Sequence, residues 1–241
     1  GKLGDVKNYL LLFCYFLQPT SNNIRSMLLY AIKSYAPPRG KRFKIEPPET
    51  MPIVAAYHPD SPKLFEDLKS YMKWYERRGG KKLDPSSMVG LLLMRPQIVS
   101  DSRRHYDVLI RAVEAEGLNV LPVLSTLMDS RESCRKFFVE KPGSAAVPAA
   151  PAALLTNPGS STSQSAKLRP TVSQLVSLTG FSFVGGPAMN DCEAAVAFLS
   201  DLNVPLRSLI SLDVQTIENW RGSRVGLNPI QTAMQVAIPE I

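Results

Sequence analysis

Histidine is nearly absent from this chain: the 241 residues hold only His58 and His105. A mononuclear metal site built from three histidines is therefore excluded within it, leaving only sites completed by Asp or Glu. Cysteine is almost as scarce. Cys14, Cys134 and Cys192 lie far apart with no CxxC pair, which argues against a zinc or iron-sulfur centre. Each sits in an apolar or helical-looking stretch and is expected to be a buried thiol. Long hydrophobic runs are missing too. Tyr9–Leu17 has nine apolar residues and stops at Gln18-Pro19, against the roughly 20 needed to cross a bilayer; it predicts a core helix and no transmembrane segment. Neither GxGxxG nor GxxxxGK[ST] occurs, and no GxSxG elbow supports a seryl triad.

Apolar residues make up 44% and charged residues 20%, the balance of a globular protein rather than of a disordered chain. The formal charge of +7 gathers in short runs at Arg39–Lys44, Arg77–Lys82 and Arg103–Arg104. These lack interleaved aromatics on a strand pattern and read as a solvated basic face, with no nucleic-acid partner. The first residues, Gly-Lys-Leu-Gly, and the last, Ile-Pro-Glu-Ile, read as interruptions of a longer chain.

Residues 6–17 and 22–35 predict two helices, the second with Ile24, Met27, Leu28, Ala31 and Ile32 at helical spacing, Ser21 as its cap and Pro37-Pro38 as its stop. A proline-rich and basic connection, 36–51, follows. From residue 52 the pattern alternates: strand Ile53–Tyr57, a helix from Ser61-Pro62 to Gly79-Gly80, strand Met88–Met94, a loop over Arg95–Ser102, a helix through Tyr106–Val113, strand Asn119–Leu124 and a helix over 130–139. Residues 143–166 carry no charge and are rich in Ala, Ser and Pro, which predicts a flexible surface insertion over 140–169. The alternation then resumes with strand Val172–Leu178, a helix over 191–200 capped by Asn190, strand Val204–Ile210, a helix over 214–220, and a last helix from Asn228-Pro229. Glycine-ended helices leading into β-branched runs are the pattern of βαβ units. The expected fold is α/β: a doubly wound, mainly parallel sheet with flanking helices over 52–139 and 170–241, preceded by a helical segment, 1–38.

The sharpest local feature is Thr179-Gly180-Phe181-Ser182-Phe183-Val184-Gly185-Gly186-Pro187-Ala188, between an apolar strand and a helix start. Open α/β sheets bind ligands there, and Gly185 and Gly186 permit close backbone approach. A tight turn that packs Phe181 and Phe183 explains the same residues. His58 follows a strand directly, where an imidazole can meet a ligand or serve as a hydrogen-bonded loop residue. His105 reads as structural or solvated, and Asp191 and Asp213 serve as helix caps as readily as metal ligands. Trp74, Tyr75 and Trp220 are core residues by default or the wall of a flat aromatic pocket.

Several of these stretches resemble a known family. YHPDSPKLFEDLKSYMKWYERR, VGLLLMRPQIVSDSRRHYDVLIRAVEAEGLNVLPV, VSLTGFSFVGGPAMNDCEAAVAFLSDLNVPL and VQTIENWRGSRVGLNPIQTAMQVAIPEI are similar, in order, to segments of the magnesium chelatase large subunits. The related cobalt chelatase large subunits share much of the Thr-Gly-Phe to Gly-Gly-Pro-Ala motif and its Asn-Asp, here Asn190-Asp191. The resemblance covers nearly everything outside the insertion. It implies an internal part of a subunit that binds protoporphyrin IX and inserts Mg²⁺, its substrate ion, on the way to chlorophyll, with ATP hydrolysed by separate AAA+ partner subunits and not bound here. It implies a plastid stroma in a plant or alga and cytoplasm in a bacterium.

The chain departs from the family pattern at Met189-Asn190-Asp191-Cys192-Glu193, where magnesium-type members have Arg-Gln-Asp-His-Pro, and at Val214, which replaces a Phe before Gln215-Thr216. Thr126-Leu127-Met128-Asp129 stands where they have Gly-Gly-Leu-Asp. A cobalt chelatase large subunit and a non-catalytic tetrapyrrole-binding paralogue are therefore the alternatives. Under the resemblance, His58, Asp191 and Glu240 are the candidate ligand or proton-acceptor residues, Gly185 and Gly186 shape the backbone beside the ring or beside a propionate, and Gln215 donates a hydrogen bond.

Overall fold

The computed structural model describes residues 2–36, 43–79, 84–125, 129–140, 168–180, 183–184, 191–209, 212 and 214–237. The chain divides into two compact units, Gly1–Pro52 with Arg95–Tyr106, and Ile53–Met94 with Asp107–Ile241.

The first unit is built on α1 (Lys2–Leu17) and α2 (Ser21–Tyr35). Thr20, one residue before the expected cap, closes the start of α2: its hydroxyl accepts from the Asn23 N–H at 3.1 Å. Asn23 then donates to the Gln18 and Glu49 carbonyls at 2.8 and 2.9 Å, and the Tyr15 hydroxyl donates to the Glu46 carbonyl. The proline-rich connection is thus laid along the helix pair by side chains that satisfy its backbone. Arg95 completes the lacing with hydrogen bonds to the Pro52 and Met51 carbonyls, both at 2.8 Å. It opens α4 (Arg95–Val99), a single turn where the sequence predicts a loop; five residues are too few to display a helical period.

In the second unit, β1 (Met88–Met94), β2 (Asn119–Ser125), β3 (Gln174–Ser177) and β4 (Leu206–Ser208) form an all-parallel sheet in the order β2-β1-β3-β4. The order reverses direction at β1, which is the doubly wound α/β arrangement that the alternating pattern predicts. β1 and β2 are buried along nearly their whole length, as strands covered on both faces must be. The flanking helices are α3 (Leu68–Gly79), α5 (Arg104–Ala115, which begins in the first unit), α6 (Arg131–Phe137), α7 (Cys192–Leu202), α8 (Ile217–Gly222) and α9 (Pro229–Ala237).

Two differences from the expected pattern bear on function. Residues 54–57 pair with β2 antiparallel, not parallel: Leu124 N–H donates to the Ala55 carbonyl and Tyr57 N–H to the Pro122 carbonyl, each at 2.8 Å. The helix expected from Pro62 starts at Leu68 instead, because Phe65 turns back to exchange both backbone hydrogen bonds with Ala56. Asp67 caps α3 by accepting from the Ser70 N–H at 2.8 Å.

Of the expected insertion, 141–167 lie outside the described residues, but both flanks are in view. Glu140 N–H donates to the Arg169 carbonyl and Thr171 N–H to the Phe138 carbonyl, each at 2.9 Å, so the end of α6 and the approach to β3 are held side by side. Of the three thiols expected to be buried, only Cys134 is; Cys14 is exposed and Cys192 half-buried. Trp220, a core residue by default, is 44% exposed. Burial drives the Cys134 thiol far above its ordinary pKa, so it will resist iodoacetamide at pH 8 in the folded chain while Cys14 reacts. Equal alkylation of the two by mass spectrometry of their peptides contradicts this packing.

Candidate functional site

The carboxyl edge of the sheet is where the strand order reverses and where crevices form in folds of this kind. Hydroxyls line it. Ser125, the last residue of β2, lies 3.0 Å from Ser130 through their side chains, and Ser177, the last of β3, lies 3.0 Å from Thr179 in the same way. All four are buried. After β3 the backbone turns at Gly180, whose φ of 68° falls in the left-handed region. The chain then reaches the segment after β2, where Val184 bridges Asp129 and the Phe183 carbonyl accepts from Ser130 N–H at 3.0 Å. In the sheet order β1 lies between β2 and β3, so residues 183–184, which follow β3 in sequence, sit beside the segment after β2.

Arg131 organises the rim. Its guanidinium donates to both Asp129 carboxylate oxygens at 2.7 to 3.0 Å and to Asp191 at 2.8 Å. Burial pushes the Asp129 carboxyl up, but hydrogen bonds from the Arg131 side chain and backbone N–H outweigh that and hold it below the usual carboxylate value. The same bonds, Asp129 first and Asp191 second, raise the Arg131 pKa. The Arg131 clamp therefore joins the start of α6 to the N-cap of α7 by a charge-assisted link. Phe183 is buried and stacks on Phe198 at 6.2 Å, so packing accounts for it.

His58 occupies the opposite edge. The antiparallel run of residues 54–57 carries it to the amino end of the parallel strands, where its ring is fully buried against Trp74 and Tyr75. Nδ1 accepts from the Asp60 N–H at 3.1 Å, which leaves Nε2–H to donate to Glu114 at 3.2 Å. Glu114 also accepts from the Tyr75 hydroxyl at 2.6 Å and from two Arg78 nitrogens at 2.7 and 3.0 Å. Arg78 and Arg111 both bind Asp60. Burial lowers the His58 pKa, opposed by the Glu114 charge, which favours the neutral ring in the folded protein. Gln215 is a third, separate location: its oxygen accepts from Asn228 N–H at 2.8 Å and its nitrogen donates to the Gly226 carbonyl at 3.2 Å. His58 and Asp191 thus stand at opposite edges, and Gly185, Gly186 and Glu240 lie outside the described residues. Among the described residues, no three His, Cys, Asp or Glu side chains are grouped to hold a metal ion, and no helix is long and apolar enough to cross a membrane.

Residues 13–241 match the CobN/Magnesium Chelatase family. The chain belongs to that family. Across its whole length it is 32% identical to the chloroplastic magnesium-chelatase subunit ChlH of Oryza sativa subsp. indica, and 32% identical to a magnesium-chelatase subunit of Rhodobacter capsulatus. It spans only 16% and 17% of those proteins. In structure it is similar to the catalytic subunit of cobaltochelatase from Mycobacterium tuberculosis, with a TM-score of 0.55 and 17% identity over 97% of this chain and 16% of that one; at this identity the likeness concerns the fold.

In this CobN/magnesium chelatase chain, His58, Asp191 and the Thr179-Gly180 turn stand out in the sequence as candidates, whereas the groups that hold them do not. Arg131 and Asp191 are separated by 60 residues, and His58 and Glu114 by 56. The one local signal was Asp129 before the start of a helix; it binds the N–H of Arg131 at 2.8 Å.

Proposed function

We propose that the chain is part of the porphyrin-binding large subunit of a magnesium chelatase, which inserts Mg²⁺ into protoporphyrin IX for chlorophyll synthesis. The observation that carries this is 32% identity to magnesium-chelatase subunits of a plant and a bacterium along the entire chain. Insertion replaces two pyrrole N–H protons by the metal ion. Mg²⁺ sheds water reluctantly and favours hard oxygen ligands, which fits a process driven by ATP that AAA+ partner subunits hydrolyse. The stroma is the site in a plastid-bearing source, and the cytoplasm in a bacterium.

Within this reading the carboxyl edge faces the macrocycle. Gly185 and Gly186 follow the strand end that Gly180 turns, and Asp191 stands at the rim with 53% of its side chain exposed, open to a pyrrole proton or to the ion. Glu240 is a further acid for that role. His58, whose two ring nitrogens are both bonded within the fold, acts as the brace of the opposite edge, and Gln215 as the brace of the segment before α8.

The test is a whole large subunit combined with its ATPase partners, supplied with protoporphyrin IX, Mg²⁺ and ATP, and followed by magnesium-porphyrin fluorescence. ATP-dependent insertion is expected, and Asp191→Asn lowers its rate by about tenfold or more. Insertion of Co²⁺ into a corrin-type ring in place of this reaction identifies a cobalt chelatase, and saturable protoporphyrin binding without insertion identifies a binding paralogue.

A further inference from the structure

The helix α1 is apolar on two sides. One stripe, Asn8, Leu11, Leu12 and Tyr15, faces the rest of its own unit: Asn8 accepts from the Tyr30 hydroxyl of α2 at 2.8 Å, and Tyr15 is buried with its hydroxyl on the Glu46 carbonyl. The other side carries Leu3, Val6, Leu10, Phe13 and Leu17, each between 44% and 86% exposed. Their spacing is three, four, three and four residues. That is the heptad seam along which one helix receives another, with alternating side chains inserting between those of the partner. Tyr9 and Phe16, also exposed, flank the seam seven residues apart and widen it to the stripe of a helix buried in a bundle.

A helix so patterned belongs in an interior layer, with helices on both sides. α2 supplies one. We propose that the seam of α1 is covered by a helix from the part of a large-subunit chain outside residues 1–241. The alternating three- and four-residue spacing is the one along which helices interlock, so a helix is the covering element proposed. The length of the relatives supplies the source: the chain spans 16% of the rice protein and 17% of the Rhodobacter one. The inference rests on family membership and not on the identity of the inserted metal.

Cys14 borders the seam, directly after Phe13, and is exposed in this chain. The experiment is N-ethylmaleimide labelling of the native, whole large subunit, read by mass spectrometry on the peptides of Cys14 and Cys134, with Cys134 reporting that the second unit is folded. In the monomeric subunit Cys14 will label about tenfold more slowly than in the denatured protein or slower. Leu10→Asp will restore fast labelling of Cys14 while Cys134 stays protected, and Leu10→Met will not. Fast labelling of Cys14 in the folded wild-type subunit overturns the proposal. So does protection that vanishes when a dimer is diluted, which assigns the seam to a second copy, and protection gained only on lipid vesicles, which assigns it to a membrane surface.

Discussion

Glu114→Ala will lower the unfolding free energy of the chain by about 3 kcal/mol, read as a fall in the urea midpoint with the slope unchanged. Glu114 accepts from His58, from Tyr75 and from both terminal nitrogens of the Arg78 fork, in bonds of 2.6 to 3.2 Å. Its side chain is 15% exposed. Removing it strands the fully buried His58 N–H and the Tyr75 hydroxyl, each costing about 1–3 kcal/mol when left without an acceptor. Arg78 is 31% exposed and keeps Asp60, so its charge remains solvated and the total stays at the lower end of the range for broken buried pairs. Asp60→Ala is the contrast. Asp60 binds Arg78 and Arg111 near the surface, and its loss will cost about 1 kcal/mol. Equal effects of the two substitutions contradict the central position of Glu114.

The same cluster sets a pH dependence. Burial lowers the folded pKa of His58, so below its ordinary value, near 6.5, the unfolded chain takes up a proton that the folded chain refuses. Stability is therefore fully present above about pH 6.5 and falls as the pH drops through the folded value. Glu114 and Asp60 add to the loss further down. Burial raises both, but hydrogen bonds from Arg78, with Tyr75 at Glu114, hold both below their ordinary values. Urea midpoints at pH 7.5 and 5.5 measure the histidine share, and His58→Gln will flatten that part of the profile.

The strands that form the middle of the sheet were legible because burial on both faces writes itself as unbroken apolar runs, here Met88–Met94 and residues 120–124 within β2. Helices with long amphipathic faces, such as α5, were legible for the corresponding reason. Strand direction was not. The run before His58 has the composition of a strand either way, and only its pairing with β2 reveals that it is antiparallel and carries His58 to the amino edge. The carboxyl edge was recognisable from Thr179-Gly180 after β3, whereas the Arg131 clamp and the Glu114 cluster join residues that no local pattern relates. α1 read as a core helix from composition alone, but of that run only Tyr15 is buried, while Tyr9, Leu10, Phe13, Phe16 and Leu17 are exposed; an apolar run shows that a face seeks cover and not where the cover comes from.

Gly90→Val will destabilise the chain by about 2 kcal/mol, although the substitution favours a strand locally. Removing an interior glycine gains about 0.5–1 kcal/mol from backbone entropy, and a β-branched residue suits the pleat. Packing opposes both. A Cβ at Gly90 would meet the Phe138 ring at 3.0 and 3.2 Å and Leu175 Cδ1 at 3.2 Å before any valine methyl is added. Phe138 has little room to withdraw, since its N–H is bonded to the Cys134 carbonyl at 2.7 Å and its carbonyl to Thr171 N–H at 2.9 Å. Overpacking of this kind costs about 1–3 kcal/mol, and two methyl groups aimed at a fixed ring place it at the top of that range. The decisive comparison is a cycle of urea midpoints for wild type, Gly90→Val, Phe138→Leu and the double variant. Phe138→Leu alone will destabilise by opening a cavity, but in the Gly90→Val background it will cost less, because the valine fills the space that the ring vacates. Additive effects would mean that the ring and the strand do not compete for that space.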